Sequence, residues 1–115
     1  KEFRENLQQL CFLMEEDGAL PVLQTTCPIL PGGVPDRQTN FPIYMNIIRE
    51  VAAERSLPLV DHEAEWRQQG ATKQFYWMND TFHPNAAGHI AFTHTLLKAL
   101  NLFDPASVTG RLFVP

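Results

Sequence analysis

Apolar positions recur along this chain with two different periods. Phe3, Leu7, Leu10, Cys11 and Met14 fall at helical spacing and would line one face of an opening helix. Glu15, Glu16 and Asp17 suit a helix C-terminus badly, because the dipole is negative there. They read as a solvated exit, with Gly18 supplying the turn. Residues 20–27, LPVLQTTC, are short, apolar and β-branched, and lie between Gly18 and Pro28. That pattern predicts a strand buried on both faces, as in a parallel sheet. In the following ILPGGVPDRQTN, Pro31, Gly32, Gly33 and Pro35 argue for a loop.

The helical period returns over 41–55. Asn40 offers an N-cap, Pro42 is tolerated in a first turn, and Tyr44, Ile47, Ile48, Val51 and Ala52 form the stripe. LPLVD, 57–61, predicts a second strand. Residues 62–82 are rich in charge and aromatics, with a short helix expected around 64–69. Stretches this long within a domain are usually functional or covering elements. A last helix is expected from Pro84 to Leu100, burying Ala86, Ile90, Thr93, Leu97 and Leu100. The tail, 101–115, holds Leu102, Phe103, Leu112, Phe113 and Val114, and is too apolar to lie free in solvent. No repeat or low-complexity tract interrupts the order α-β-α-β-α.

A strand, a helix and a second strand in this spacing make a right-handed parallel crossover. Two strands are too few for a stable parallel sheet covered on both faces. Further strands are therefore expected from sequence outside these residues, or from another chain.

Composition narrows the function. At 115 residues the chain is about three-quarters of a typical ~150-residue domain, so it is one domain or a piece of one. Its net charge of −4 gives no field that would draw nucleic acid or an anionic membrane. With 44% apolar and 19% charged residues, disorder is not expected. No apolar run approaches the ~20 residues of a membrane span, and no basic start with an apolar stretch marks a signal peptide. Cys11 and Cys27 are too few for a disulfide scaffold and read as small buried hydrophobes.

The chemistry gathers in residues 79–89, NDTFHPNAAGH. A histidine is a useful general base near neutral pH, provided a partner fixes its tautomer and stabilises its charged form. Asp80, three residues before His83 on a tight turn, can reach one ring nitrogen and leave the other free for a nucleophile's proton. On spacing alone, the alternative is an aspartate capping the helix beside a surface histidine.

The string D-x-x-H-P-N followed by small residues, Gly88 and His89 resembles the last conserved block of the SGNH, or GDSL-type, hydrolases. The helix, apolar strand, Pro-rich loop, helix and LPLVD strand ahead of it resemble the C-terminal half of that fold, over residues 1 to about 103. The resemblance implies a three-layer α/β/α sandwich with a flavodoxin-like parallel sheet, present here as its C-terminal half only. It implies an ester hydrolase of carboxylesterase, acetylesterase or lipase-like type, using a Ser-His-Asp triad. Asp80 and His83 match the triad acid and base. The family's nucleophile and oxyanion blocks have no counterpart in these residues. Ser56 and Ser107 are the only serines, and neither stands in a nucleophile-like context. The resemblance thus implies a complementary N-terminal chain or segment that carries the serine, and a small-molecule ester as substrate. A different class stays open: a non-catalytic fragment or degenerate relative acting as a binding module.

Other residues receive plainer readings. Phe82 and Trp77 are candidate walls of a substrate pocket, and equally a hydrophobic cover over the sheet end. Phe75 and Tyr76 share that ambiguity. His62 reads as a loop residue beside Asp61, His89 as structural and bonded to a neighbouring loop, and His94 as a helix surface or boundary residue. A metal site from His62, Asp80, His83 and His89 is conceivable, but no H-x-x-x-H pair supports one. Neither a metal nor a cofactor is expected.

Overall fold

The computed structural model describes residues 1–115. Two short parallel strands lie between helices. The order is α1 (Glu2–Glu16), β1 (Leu23–Gln24), α2 (Pro35–Glu54), β2 (Leu59–Val60), α3 (His62–Gln68), α4 (Ala71–Tyr76) and α5 (Ala86–Ala99). Leu23 stands opposite Leu59, and Gln24 opposite Val60. The Leu23 N–H donates to the Pro58 carbonyl at 2.9 Å and the Thr25 N–H to the Val60 carbonyl at 3.1 Å. The expected parallel α/β arrangement is present. The hydrogen-bonded strands are much shorter than the apolar runs at 20–27 and 57–61.

Strand side chains alternate between faces, so Leu23 and Leu59 share one face and Gln24 and Val60 the other. Leu23 joins Cys11, Met45, Ile48, Val51 and Ala52 in a core under α1 and α2. On the second side Cys27, Trp66, Trp77, Met78 and Ala91 form another core, built from α3, α5, the residues after α4 and the loop after β1. The two cysteines are free, buried and in different cores. Burial pushes the Cys27 thiol up to about 11, which leaves it an inert apolar group near neutral pH. The slab measures 41 × 40 × 18 Å. No helix is long and apolar enough to cross a membrane.

Three boundaries differ from the sequence pattern. The second helix begins at Pro35 rather than near Phe41. Val34 is extended, Pro35 takes the first turn and Asp36 complements the dipole there, so half of the expected loop is helical. Pro42 lies inside this helix instead of opening it. The 62–82 stretch holds two helices, α3 and α4, rather than the one expected around 64–69. Asp61 caps the first by accepting the Ala64 N–H at 3.2 Å, and Gly70, at φ +83°, turns the chain into the second. The last helix starts at Ala86, not Pro84. Asn85 takes the cap because its side-chain oxygen accepts the Gly88 N–H at 3.1 Å, while Pro84 pairs with Met78 in an antiparallel bridge.

The tail does fold back in part. The Trp77 indole N–H donates to the Pro115 carbonyl at 2.8 Å, and His94 Nε2 donates to the Thr109 carbonyl at 2.9 Å. Leu102, Val108 and Phe113 remain exposed.

Candidate active site

Asp80 and His83 sit in the loop between α4 and α5, whose two legs are tied together at the base. Asn79 N–H donates to the His83 carbonyl at 2.7 Å, and Asn85 N–H to the Trp77 carbonyl at 2.9 Å. The Asn85 amide also donates to the Tyr76 carbonyl at 2.7 Å and the Met78 carbonyl at 3.3 Å. Leu30 N–H reaches the Thr81 carbonyl at 2.8 Å from the loop after β1. The short chain between aspartate and histidine thus has little freedom to move its side chains apart.

Within that loop Asp80 Oδ2 lies 2.6 Å from His83 Nδ1. Its other oxygen, Oδ1, accepts the backbone N–H groups of Phe82 at 2.9 Å and His83 at 2.8 Å. These contacts hold the Asp80 carboxyl down at about 2; the Phe82 N–H contributes most, then the His83 ring and the His83 N–H. A carboxylate on Nδ1 fixes the tautomer that leaves Nε2 as the base. His83 Nε2 makes no hydrogen bond within the chain, and the ring is well exposed. The pair can orient a base and stabilise the charge it gains.

Phe82 stacks on His83 with ring centroids 3.9 Å apart. It is partly exposed and lies against the dyad, as a wall residue would. Trp77 is placed differently. It is only 4% exposed, packs edge-on against Trp66 at 5.1 Å and spends its N–H on the tail. The structure builds it into the second core and leaves it almost no surface for a ligand. Phe75 and Tyr76 are exposed, and Phe75 lines a groove of about 1020 Å³ with Ile29, Leu30, Met78 and Asp80.

The remaining histidines fall outside this pair. His62 is not a loop residue: it opens α3, is buried, and stacks on Phe92 at 4.2 Å. Its Nε2 lies 3.0 Å from Gln24 Oε1, while Nδ1 has no partner. Burial pushes its pKa down to about 4. His89, expected to bond a neighbouring loop, is exposed and makes no side-chain hydrogen bond; its ring stands 6.5 Å from Phe92. His94 lies within α5, half-buried, and anchors the tail, packed on Phe103 at 5.1 Å. No three His, Cys, Asp or Glu side chains converge on a point that could hold a metal. Ser56 stands at φ +54° in the turn before β2, and Ser107 donates to the Asp104 carbonyl at 2.7 Å; neither bonds His83.

Two features gave no signal in the sequence. Arg49 on α2 grips Asp61 with both Nε (2.7 Å) and a terminal nitrogen (2.8 Å), and reaches Glu63 at 2.5 Å. Thr25 donates to Asp61 at 2.9 Å and accepts the Glu63 N–H at 3.0 Å, so the network knots β1, α2 and α3 together at the carboxyl end of the strands. Arg49 is the main reason the Asp61 carboxyl stays below its ordinary value. The other feature is Arg37, over the Phe82 ring at 4.3 Å.

A family model for the GDSL-like Lipase/Acylhydrolase family matches residues 1–91. Among curated proteins none matches the chain. Two solved structures share its fold. One is an alpha/beta hydrolase enzyme from the metagenome of Lake Arreo, Spain, 23% identical with a TM-score of 0.71 over 90% of this chain. The other is a catalytic mutant of an acetylxylan esterase from Geobacillus stearothermophilus, 18% identical with a TM-score of 0.67 over 84% of this chain. The matches cover 48% and 45% of those proteins, so this chain spans about half their length.

Proposed function

The chain belongs to the GDSL-like lipase/acylhydrolase family, and on that premise we propose that the intact protein hydrolyses a carboxylic ester by a Ser-His-Asp mechanism. A serine outside residues 1–115 attacks the ester carbonyl. His83 Nε2 takes the serine proton and returns it to the leaving alcohol. Asp80 orients the imidazole and stabilises its charged form. Water then repeats the sequence on the acyl-enzyme. Phe82 forms part of the wall beside the reacting group.

The 2.6 Å contact from Asp80 to His83 Nδ1, with Nε2 left unbonded, carries this reading. The two strands, bonded only to each other, support the view that residues 1–115 are the C-terminal part of a single domain. The N-terminal part would then supply the serine, the oxyanion donors and the neighbouring strands. The partner in catalysis is a small-molecule ester. The test is His83→Ala in the intact protein, assayed on 4-nitrophenyl acetate. A loss of at least about 10³-fold in kcat is expected. An unchanged rate overturns the proposal.

The competing reading, a non-catalytic binding module, draws on one observation: no serine of these residues bonds His83. Detection of ester hydrolysis that depends on His83 removes it.

A further inference from the structure

Phe82 lies between two groups of different kinds. Its ring centroid is 3.9 Å from that of His83 and 4.3 Å from the guanidinium carbon of Arg37. These separations place the Arg37 charge within about 8 Å of the imidazole centre, a distance a small ester spans. Resting on the esterase reading above, we propose that Arg37 is a specificity-determining residue that binds a carboxylate carried by the substrate close to its scissile ester.

The argument for a ligand begins with what Arg37 lacks. Arg4, Arg49, Arg55 and Arg67 each pair with a glutamate or aspartate. Arg37 has no carboxylate within ion-pair reach and makes no side-chain hydrogen bond; its neighbour Asp36 does not close that gap. A guanidinium over an aromatic ring is ordered by the contact, yet its N–H donors lie in its own plane and stay available. Two parallel donors of that fork match the two oxygens of a carboxylate.

The position is also built. Arg37 is in the first turn of α2, where its N–H donates to the Val34 carbonyl at 3.0 Å. Next to it, the Gln38 amide donates to the Leu30 carbonyl at 3.0 Å, and Leu30 in turn bonds Thr81 in the dyad loop. Gly33 fits so closely on that loop that a Cβ there would stand 2.9 Å from Thr81 Oγ1. The start of α2 and the dyad loop therefore hold a fixed relation, and Arg37 keeps its distance from His83.

The test compares kcat/KM of the intact protein on four chromogenic esters. 4-Nitrophenyl acetate and 4-nitrophenyl butyrate are neutral. 5-Acetoxy-2-nitrobenzoate carries its carboxylate on the leaving group, and mono-4-nitrophenyl glutarate carries it on the acyl group. Arg37→Met keeps a flexible apolar stem against Phe82 and removes the charge. It is expected to lower the ratio of kcat/KM for at least one carboxylated ester to that for the neutral esters by about tenfold or more, through KM. Arg37→Lys is expected to restore part of that ratio. A ratio unchanged for both carboxylated esters overturns the inference and reduces Arg37 to a packing partner of Phe82. If the wild-type protein hydrolyses none of the four, the esterase reading itself fails, and this inference with it.

Discussion

The Trp77 carbonyl oxygen occupies the space that a side chain on Gly88 would need. A Cβ built on Gly88 stands 2.4 Å from that oxygen, with Pro84 and Trp66 each 2.9 Å away on other sides. The same carbonyl accepts the Asn85 N–H, so the start of α5 packs directly on the base of the dyad loop. Gly88→Ala must push the two legs of that loop apart. The expected cost is about 1–3 kcal/mol, read as a lower urea midpoint at unchanged slope. A midpoint equal to wild type would contradict this packing.

Asp80→Asn is expected to leave the fold intact, since the side chain is exposed, and to lower kcat by about 10³–10⁴-fold. An amide can present an N–H to Nδ1, which then no longer donates, and Nε2 carries the proton it should accept. The pH behaviour follows from the carboxyl held at about 2 against an ordinary 3.8. Because the folded value is the lower one, the contribution of the ionised form is present above the ordinary value and is lost as pH falls through about 2. Asp80 therefore stays charged at every pH well above 2, and activity that fades at pH 5 or 6 does not report its protonation. The check is a pH profile of kcat/KM for wild type and for Asp80→Asn.

His62 makes stability depend on pH in a different window. Burial lowers its folded value to about 4, from an ordinary 6.5. Below 6.5 the unfolded chain binds a proton that the folded chain refuses, so stability falls as pH drops toward 4 and then levels off. Asp61, the adjacent carboxylate, acts in the opposite sense and is outweighed by burial. His62→Gln should flatten the curve of urea midpoint against pH between about 6.5 and 4. An equally steep curve in the variant would assign the slope to other groups.

Arg49→Met leaves the buried Glu63 with Arg67 alone and Asp61 with no cation. Losing one partner of a buried pair typically costs about 3–5 kcal/mol, and the remaining Arg67 reduces that to on the order of 2. Thermal unfolding that is unmoved by the substitution would show the network to be ornamental.

The dyad was the most legible part of this protein, because it is local. Asp80 and His83 are three residues apart, and a tight turn brings them together whatever the rest of the chain does. The two helices α1 and α2 were legible as elements, but their stripes only in part: Cys11 on the first, and Ile48, Val51 and Ala52 on the second, are buried, while Leu10, Met14 and Tyr44 of the same stripes are exposed. What failed depended on choices between neighbouring signals. Pro35 and Asn40 both offer a helix start, and the chain takes the earlier one while tolerating Pro42 inside. Pro84 and Asn85 compete for the start of α5, and the asparagine wins because its oxygen finds the Gly88 N–H. Trp77 lies five residues from Phe82 in the chain, but their side chains part: one turns into the core against Trp66, the other lies on His83. Arg49 with Asp61, and Arg37 with Phe82, are tertiary pairs that no spacing rule announces.

The measurement that tests the central claim most directly is covalent labelling of the intact protein with a fluorophosphonate, followed by peptide mapping. The account predicts one adduct, on a serine outside residues 1–115, formed in wild type and abolished by His83→Ala. An adduct on Ser56 or Ser107, or labelling that survives His83→Ala undiminished, would contradict it.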